Sequence, residues 1–282
     1  MMNTGYVRPR TLEDALAFLA ENSGKTRIVA GGTDVMVDLR AGTLKTDYLL
    51  DVSRLQALRG IEIIGNDLSV GAAATLSEIY NSAILEAHAP ALQKSAVNFA
   101  SKQIRNVATI GGNVAHCSPC GDTLPALAIH EARAVLSSPA GERQVPIEAI
   151  ASGPYMCALP QNEIITRFIL KPATVAFADF QKIGRRKELA VARMSMAYMA
   201  DKDAEGRICF FRFALGACTP TPQRNHRIEA MLTGQIPDAA RIWEAGRVLA
   251  EDTIAVTGRR ASAVYKESAI QGLFMRMVYP LV

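Results

Sequence analysis

Tryptophan occurs once in this 282-residue chain, and aromatic residues together make up 6%. A nucleic-acid surface of basic side chains interleaved with stacking aromatics is therefore hard to assemble. Neither sign of charge is in large excess: 31 Lys and Arg stand against 27 Asp and Glu, a formal net charge of +4. The basic residues are scattered, apart from Arg185-Arg186-Lys187 and Arg259-Arg260. An anionic small molecule or an acidic protein surface suits that balance better than a nucleic acid. No apolar run reaches the roughly 18 residues that a membrane helix needs. The N-terminus, Met1 to Tyr6, has no apolar segment of signal-peptide type. Five cysteines, an odd number, exclude a fully paired disulfide framework, and the cytoplasm is the expected location. His88, His130 and His226 have no patterned carboxylate or nucleophile beside them, so no hydrolase triad is visible. What remains is 49% hydrophobic and 21% charged, a globular balance over a length that suits two or three compact units.

Hydrophobic periodicity and caps divide the chain. Thr11 opens a helix carrying Leu12, Ala15, Leu16 and Leu19, with Asp14 in the capping-box position, and Asn22-Ser23-Gly24 closes it. Arg27 to Val29 and Tyr48 to Val52 read as strands. Ile61 to Ile64 and Leu68 to Gly71 flank Gly65-Asn66-Asp67 as a hairpin, and Thr75 to Glu78 is a second capping box. Helices are expected over Pro90 to Ala100 and Leu124 to His130, strands over Ala134 to Ser137 and Glu163 to Leu170, with a turn at Pro139 to Glu142. Beyond Lys171-Pro172, three strands (Phe177 to Ile183, Ala192 to Ala200, Ile208 to Ala217) precede three helices, with a hairpin loop over Asp201 to Gly206. Strands followed by helices point to an α+β domain with an antiparallel sheet. The divisions expected are 1–55, 56–173 and 174–282.

Two glycine pairs carry the most information. Arg27 to Val29 leads into Ala30-Gly31-Gly32-Thr33-Asp34, and Val107 to Ile110 leads into Gly111-Gly112-Asn113. Each follows a β-prone run and is followed by a small polar residue. Glycine lets backbone N–H groups approach a ligand closely, and successive N–H groups in such a turn form a concave anion site. Thr33, Asp34 and Asn113 could add hydrogen bonds to phosphate or ribose, or could cap the next turn. The spacing is not G-x-G-x-x-G, which disfavours an NAD(P)-binding dehydrogenase fold. His116-Cys117-Ser118-Pro119-Cys120-Gly121-Asp122 contains a C-x-x-C, but the other cysteines are scattered and a closed metal site is hard to assemble. Asp122 could meet a ribose hydroxyl or cap the following helix. Lys182 could neutralise a bound anion or simply snorkel from a strand.

Together these segments resemble the FAD-binding medium subunit of the molybdenum hydroxylases, the family of xanthine dehydrogenase and carbon monoxide dehydrogenase. The resemblance rests on Val29 to Asp34, Gln103 to Asn113, Ser118 to Pro125, Phe180 to Arg186 and Ala214 to Pro222, and extends over essentially the whole chain. It implies two small N-terminal α/β subdomains forming a PCMH-type FAD-binding domain, followed by an α+β domain. It also implies that Ala30, Gly31, Gly32, Thr33, Asp34, Thr109, Gly112 and Asn113 hold the FAD diphosphate. Ser118 and Asp122 would lie beside the adenosine half, and Lys182 near the flavin. Leu189 to Arg193 is similar to the segment that covers the flavin ring, with Arg193 where many relatives have lysine. The implied partners are a small subunit with two [2Fe-2S] clusters and a large subunit with the molybdenum cofactor, in a dimer of heterotrimers. Electrons would pass from the clusters through FAD to NAD or another acceptor. One subgroup carries an additional Fe–S cluster on a cysteine-rich insertion; no such insertion is present, and Cys117 and Cys120 are assigned no metal. The rival reading is a non-catalytic assembly subunit of the same complex that has lost FAD.

Overall fold

A computed structural model describes residues 4–259 and 263–282. The opening residues 1–3 of the N-terminus and Arg260 of the Arg259-Arg260 pair lie outside the described residues.

The first unit is β1 (Gly5–Val7), α1 (Leu12–Glu21), β2 (Thr26–Val29), α2 (Val35–Ala41) and β3 (Tyr48–Asp51). Its strands form a parallel sheet in the order β1-β3-β2, with Tyr48 opposite both Gly5 and Thr26. Parallel neighbours need crossovers, which α1 and α2 supply. Thr11 caps α1, its hydroxyl accepting the Asp14 N–H at 3.1 Å, and the helix buries Ala15, Leu16 and Leu19. Burial of those side chains against Leu50, Val52, Leu55 and Leu58 makes the small core. Strand β1 and helix α2 have no counterpart in the sequence reading. β1 is three residues long, and α2 buries none of its residues, so neither leaves a periodic apolar stripe.

The second unit opens with the hairpin β4 (Ile61–Ile64) and β5 (Asp67–Gly71). Six short helices follow: α3 (Leu76–Tyr80), α4 (Ala83–His88), α5 (Pro90–Ser95), α6 (Lys102–Arg105), α7 (Ile110–Ala115) and α8 (Thr123–Ile129). It closes with β6 (Arg133–Ser138), β7 (Gly141–Pro146), the ribbon β8 (Ala151–Gly153) and β9 (Met156–Cys157), and β10 (Ile164–Leu170). The main sheet is antiparallel, in the order β4-β5-β10-β6-β7. Thr75 and Glu78 make the reciprocal capping box that the sequence predicts. The helix expected over Pro90 to Ala100 stops at Ser95. The chain reverses at Ala100, whose φ is +40°, and the Arg105 guanidinium donates to the carbonyls of Phe99 and Ala100 at 2.8 and 3.1 Å. Helix α8 is buried along its whole length.

The third unit is β11 (Phe177–Gly184), β12 (Ala192–Lys202), β13 (Ile208–Gly216), β14 (Gln223–Arg224), α9 (His226–Leu232), α10 (Ala239–Thr257) and α11 (Ala263–Val278). Its sheet is antiparallel in strand order, and the final helices cover one face. Strand side chains alternate between faces. Met194, Met196, Tyr198 and Ala200 of β12 join the core under the helices, whereas Ala197 and Met199 join the core of the second unit. Both faces are therefore buried, which explains the unbroken apolar run from Met196 to Ala200. The second of these faces rests on α8 and positions the site.

Candidate functional site

The first glycine loop leaves β2 and enters α2. Gly32 has φ +70°, a conformation that favours glycine, whereas Gly31 is required for space. A Cβ on Gly31 would sit 2.0 Å from the Val107 carbonyl oxygen and 2.9 Å from the Ala108 Cα. The two glycine loops are thus packed backbone to backbone. Among the described residues, the N–H groups of Gly31, Gly32, Thr33 and Asp34 donate to no protein acceptor, and the Asp34 side chain caps nothing. Four successive unpaired donors on a partly exposed turn form an anion cradle.

The second glycine pair is built differently, and here the structure corrects the sequence reading. Val107 to Ile110 is not a strand; Thr109 makes only an isolated bridge to Thr75. Gly111 and Gly112 lie in the first turn of α7. Their N–H groups are already occupied. Gly111 donates to Ala72 O at 2.9 Å, Gly112 to Thr109 Oγ1 at 3.1 Å, and Asn113 to Thr109 O at 3.0 Å. A Cβ on Gly111 would press on the Ala72 carbonyl at 2.7 Å, so this glycine serves close packing. Gly112 is exposed and presents bare backbone. What this loop offers a ligand is side-chain donors. The Thr109 and Ser118 hydroxyl oxygens accept from Gly112 N and Cys120 N, leaving each O–H free to donate. Asn113 Oδ1 accepts the Thr123 hydroxyl at 2.7 Å, which leaves its NH2 group available.

Asp34 and His116 join the loops laterally, with Nε2 3.8 Å from Oδ1, and the His116 ring meets Tyr155 edge-on at 5.3 Å. Asp122 stands before α8 but makes no capping hydrogen bond. It instead accepts from Lys182 Nζ at 2.5 Å, in a pair whose side chains are 5% and 9% exposed. The register explains this contact. Lys182 on β11 lies opposite Ser195 on β12, on the face that carries Ala197 and Met199 toward α8. The resemblance implies Asp122 beside the adenosine half and Lys182 near the flavin; the structure brings the two side chains into contact. Burial pushes the Asp122 carboxyl up to about 6, against the opposing charge and hydrogen bond of Lys182. Sequence reasoning missed Ser195. Its Oγ and Asp122 Oδ1 are buried and have no hydrogen-bond partner among the described residues. The bare backbone of Gly216, opposite Ser195, makes room there, since a Cβ would lie 2.6 Å from both Ser195 Oγ and Pro125 Cγ. Leu189, in the segment before β12, has φ +53° and an exposed side chain, with its carbonyl held by Arg186.

The site therefore combines four unpaired backbone donors, hydroxyl and amide side-chain donors, and a buried ion pair with two unpartnered polar atoms. That donor set suits a long ligand with a dianionic centre and a polar ring edge. Residues 2–172 match the family model described as the FAD binding domain in molybdopterin dehydrogenase. The chain belongs to this family. Residues 179–281 match the CO dehydrogenase flavoprotein C-terminal domain. The chain is 31% identical to the nicotinate dehydrogenase FAD-subunit of Eubacterium barkeri, over 98% of this chain and 95% of that one. It is 30% identical to the carbon monoxide dehydrogenase medium chain of Hydrogenophaga pseudoflava, over 89% and 86%. A solved carbon monoxide dehydrogenase from the same organism, lacking the Mo-pyranopterin moiety of its cofactor, superposes with a TM-score of 0.90 at 28% identity, covering 98% and 96% of the two chains. The α+β architecture is thus that of medium chains of carbon monoxide dehydrogenase. Among the described residues, no helix is long and apolar enough to cross a membrane, and no three His, Cys, Asp or Glu side chains cluster as metal ligands.

Proposed function

We propose that this chain is the FAD-binding electron-transfer subunit of a molybdenum-containing hydroxylase or dehydrogenase. Its partners in this reading are a small subunit with [2Fe-2S] clusters and a large subunit with the molybdenum cofactor, assembled as a dimer of heterotrimers. FAD, when bound, supplies a carrier that accepts electrons from the clusters and releases them to NAD or another acceptor. The unpaired N–H row from Gly31 to Asp34 is the observation that supports the reading most directly. Those groups would hold the diphosphate, with Ala30 shaping the turn. Thr109, Gly112 and Asn113 would close on it from the facing loop through side-chain donors and open backbone. Ser118 would add a hydroxyl donor. The Asp122–Lys182 pair would hold one polar end, with Asp122 Oδ1 left to accept a donor and Lys182 fixing positive charge where electrons accumulate. The units 1–55 and 56–173 would clasp the cofactor, and 174–282 would supply Lys182. Free thiols at all five cysteines accord with a cytoplasmic location.

The test is flavin content. The complex, purified with its partners, should release FAD on denaturation. Gly112→Val should retain the fold and lose most of the flavin, because its nearest neighbour is Thr109 Oγ1 at 3.1 Å from a built Cβ. Gly32→Val should also lose flavin, with added strain at φ +70°. A complex with intact loops and no flavin would leave the assembly-only reading standing in its place.

A further inference from the structure

The sequence sets Cys117 beside Cys120, but the fold sets it against Cys157. Cys117 follows α7, has φ +52° and is buried. Its thiol points to the carbonyls of Val114 and Ile150, at 3.5 and 3.8 Å. The Ile150 carbonyl also accepts the Ala158 N–H at 2.8 Å, and Ala151 lies opposite Cys157 in the β8–β9 ribbon. From the other side, the Cys117 carbonyl accepts the Tyr155 N–H at 2.8 Å. These bonds clamp the Cys117 segment onto the ribbon that carries Cys157. The clamp thus sets the Cys117 side chain against the segment that carries Cys157, close enough for each thiol to act on the other's ionisation. Cys157 is exposed, so a small oxidant reaches it from solvent while Cys117 waits beneath.

We propose that Cys117 and Cys157 are a redox modification site, closing to a reversible disulfide under hydrogen peroxide, with Cys157 as the attacking thiol. The division of labour follows from their surroundings. The Cys117 side chain lowers the Cys157 thiol against partial burial, helped by the backbone at Leu159 and the charge of Arg27. The same contact, with burial, pushes Cys117 far up. Of the two, the exposed Cys157 ionises the more readily, and the buried Cys117 keeps its proton. In the first step the Cys157 sulfur attacks one peroxide oxygen. An S–O bond forms, the O–O bond breaks, and hydroxide leaves and is protonated to water, giving a sulfenic acid. In the second step Cys117 attacks that sulfur. The S–S bond forms, the S–O bond breaks, and the Cys117 proton leaves with the departing hydroxide as a second water. Two thiols lose two electrons, and one peroxide gains them. The product ties the loop between α7 and α8 to the β8–β9 ribbon, and a dithiol reductant reverses it.

The test uses the protein purified with its partners. It is treated with graded hydrogen peroxide, alkylated with iodoacetamide and digested without reductant. A cross-linked peptide joining Cys117 and Cys157 should form, lighter than its parts by two hydrogens. Dithiothreitol should remove it, and Cys157→Ser should abolish it. In Cys117→Ala, Cys157 should stop at a dimedone-trappable sulfenic acid, and the pH midpoint of its alkylation should move upward. The proposal is overturned if Cys157 oxidises no faster than the exposed Cys209 and yields no joined peptide. An unchanged alkylation midpoint in Cys117→Ala overturns it as well.

Discussion

Replacing Lys182 by methionine isolates the buried ion pair. Burial holds the Asp122 carboxyl at about 6, against an ordinary 3.8, even with Lys182 opposing it. The unfolded chain gives up that proton near 3.8 and the folded chain near 6, so stability from this group is present at low pH and lost as pH rises between those values. At about 1.36 kcal/mol per pKa unit, the loss is about 3 kcal/mol, and the curve is level above pH 6. Lys182→Met removes both influences that lower the carboxyl. Its pKa then rises beyond 6, and the decline continues at about 1.4 kcal/mol per pH unit where the wild type is already level. The gap between the two proteins should therefore be constant below about pH 5 and open by about 1.4 kcal/mol between pH 6 and 7. Its total at neutral pH should approach the roughly 3–5 kcal/mol typical of a buried pair that loses one member.

The wild-type curve alone would hide this behaviour. Burial lowers His130 to about 4 from 6.5, with its Nδ1 3.2 Å from the Lys171 carbonyl oxygen. Stability from a neutral buried imidazole is present above 6.5 and lost as pH falls toward 4, by about 3 kcal/mol. That loss runs opposite to the Asp122 gain over nearly the same window. Subtracting the variant from the wild type cancels His130 and leaves Asp122. The assay is urea denaturation of flavin-free protein at fixed ionic strength, since bound ligand would add its own stability. Far-UV circular dichroism follows the whole chain, and the single tryptophan, Trp243 on α10, follows the third unit. A gap that is equal at pH 5 and pH 7.5, or that narrows on raising the pH, would refute the electrostatic reasoning.

Two other perturbations separate packing from binding and structure from site. Gly31→Ala should lower the melting temperature and the yield of folded protein, because its Cβ would meet the Val107 carbonyl at 2.0 Å; a melting curve like that of the wild type would contradict the packed-loop account. Glu229→Gln should cost stability at neutral pH and flatten the acid limb of the curve. Burial raises the Glu229 carboxyl, but Arg224 and the Phe213 N–H outweigh it and hold it below its ordinary 4.5. Its contribution is therefore present above pH 4.5 and lost as pH falls below, which denaturation midpoints between about pH 3 and 6 would register.

Most helices and strands were legible because they carry period and punctuation. Thr11 and Thr75 announce their helices, and Gly65-Asn66 announces the β4–β5 hairpin. Elements without an apolar stripe, β1 and α2, were not legible. Val107 to Ile110 looks like a strand by composition. Thr109 capping the Gly112 N–H decides for a helix, and β-propensity loses to a local hydrogen bond. The Asp122–Lys182 contact spans sixty positions and depends on register, so no local pattern shows it. The alternation of β12 between two cores could have indicated that Ser195, and hence its neighbour Lys182, face α8.

The likeness of the two glycine pairs is therefore one of sequence, not of mechanism. Gly31 and Gly111 both make room for a neighbouring carbonyl, that of Val107 and that of Ala72. Their partners diverge. Gly32 turns the chain with positive φ and leaves a row of donors unpaired, while Gly112 gives its own N–H to Thr109. An anion at the second loop would have to draw on the Thr109 and Asn113 side chains, because displacing Thr109 from Gly112 would cost about 1 kcal/mol of helix capping. The first loop has no such competitor. If a dianionic centre binds between them, the backbone of 31–34 carries most of its charge, and the second loop contributes orientation.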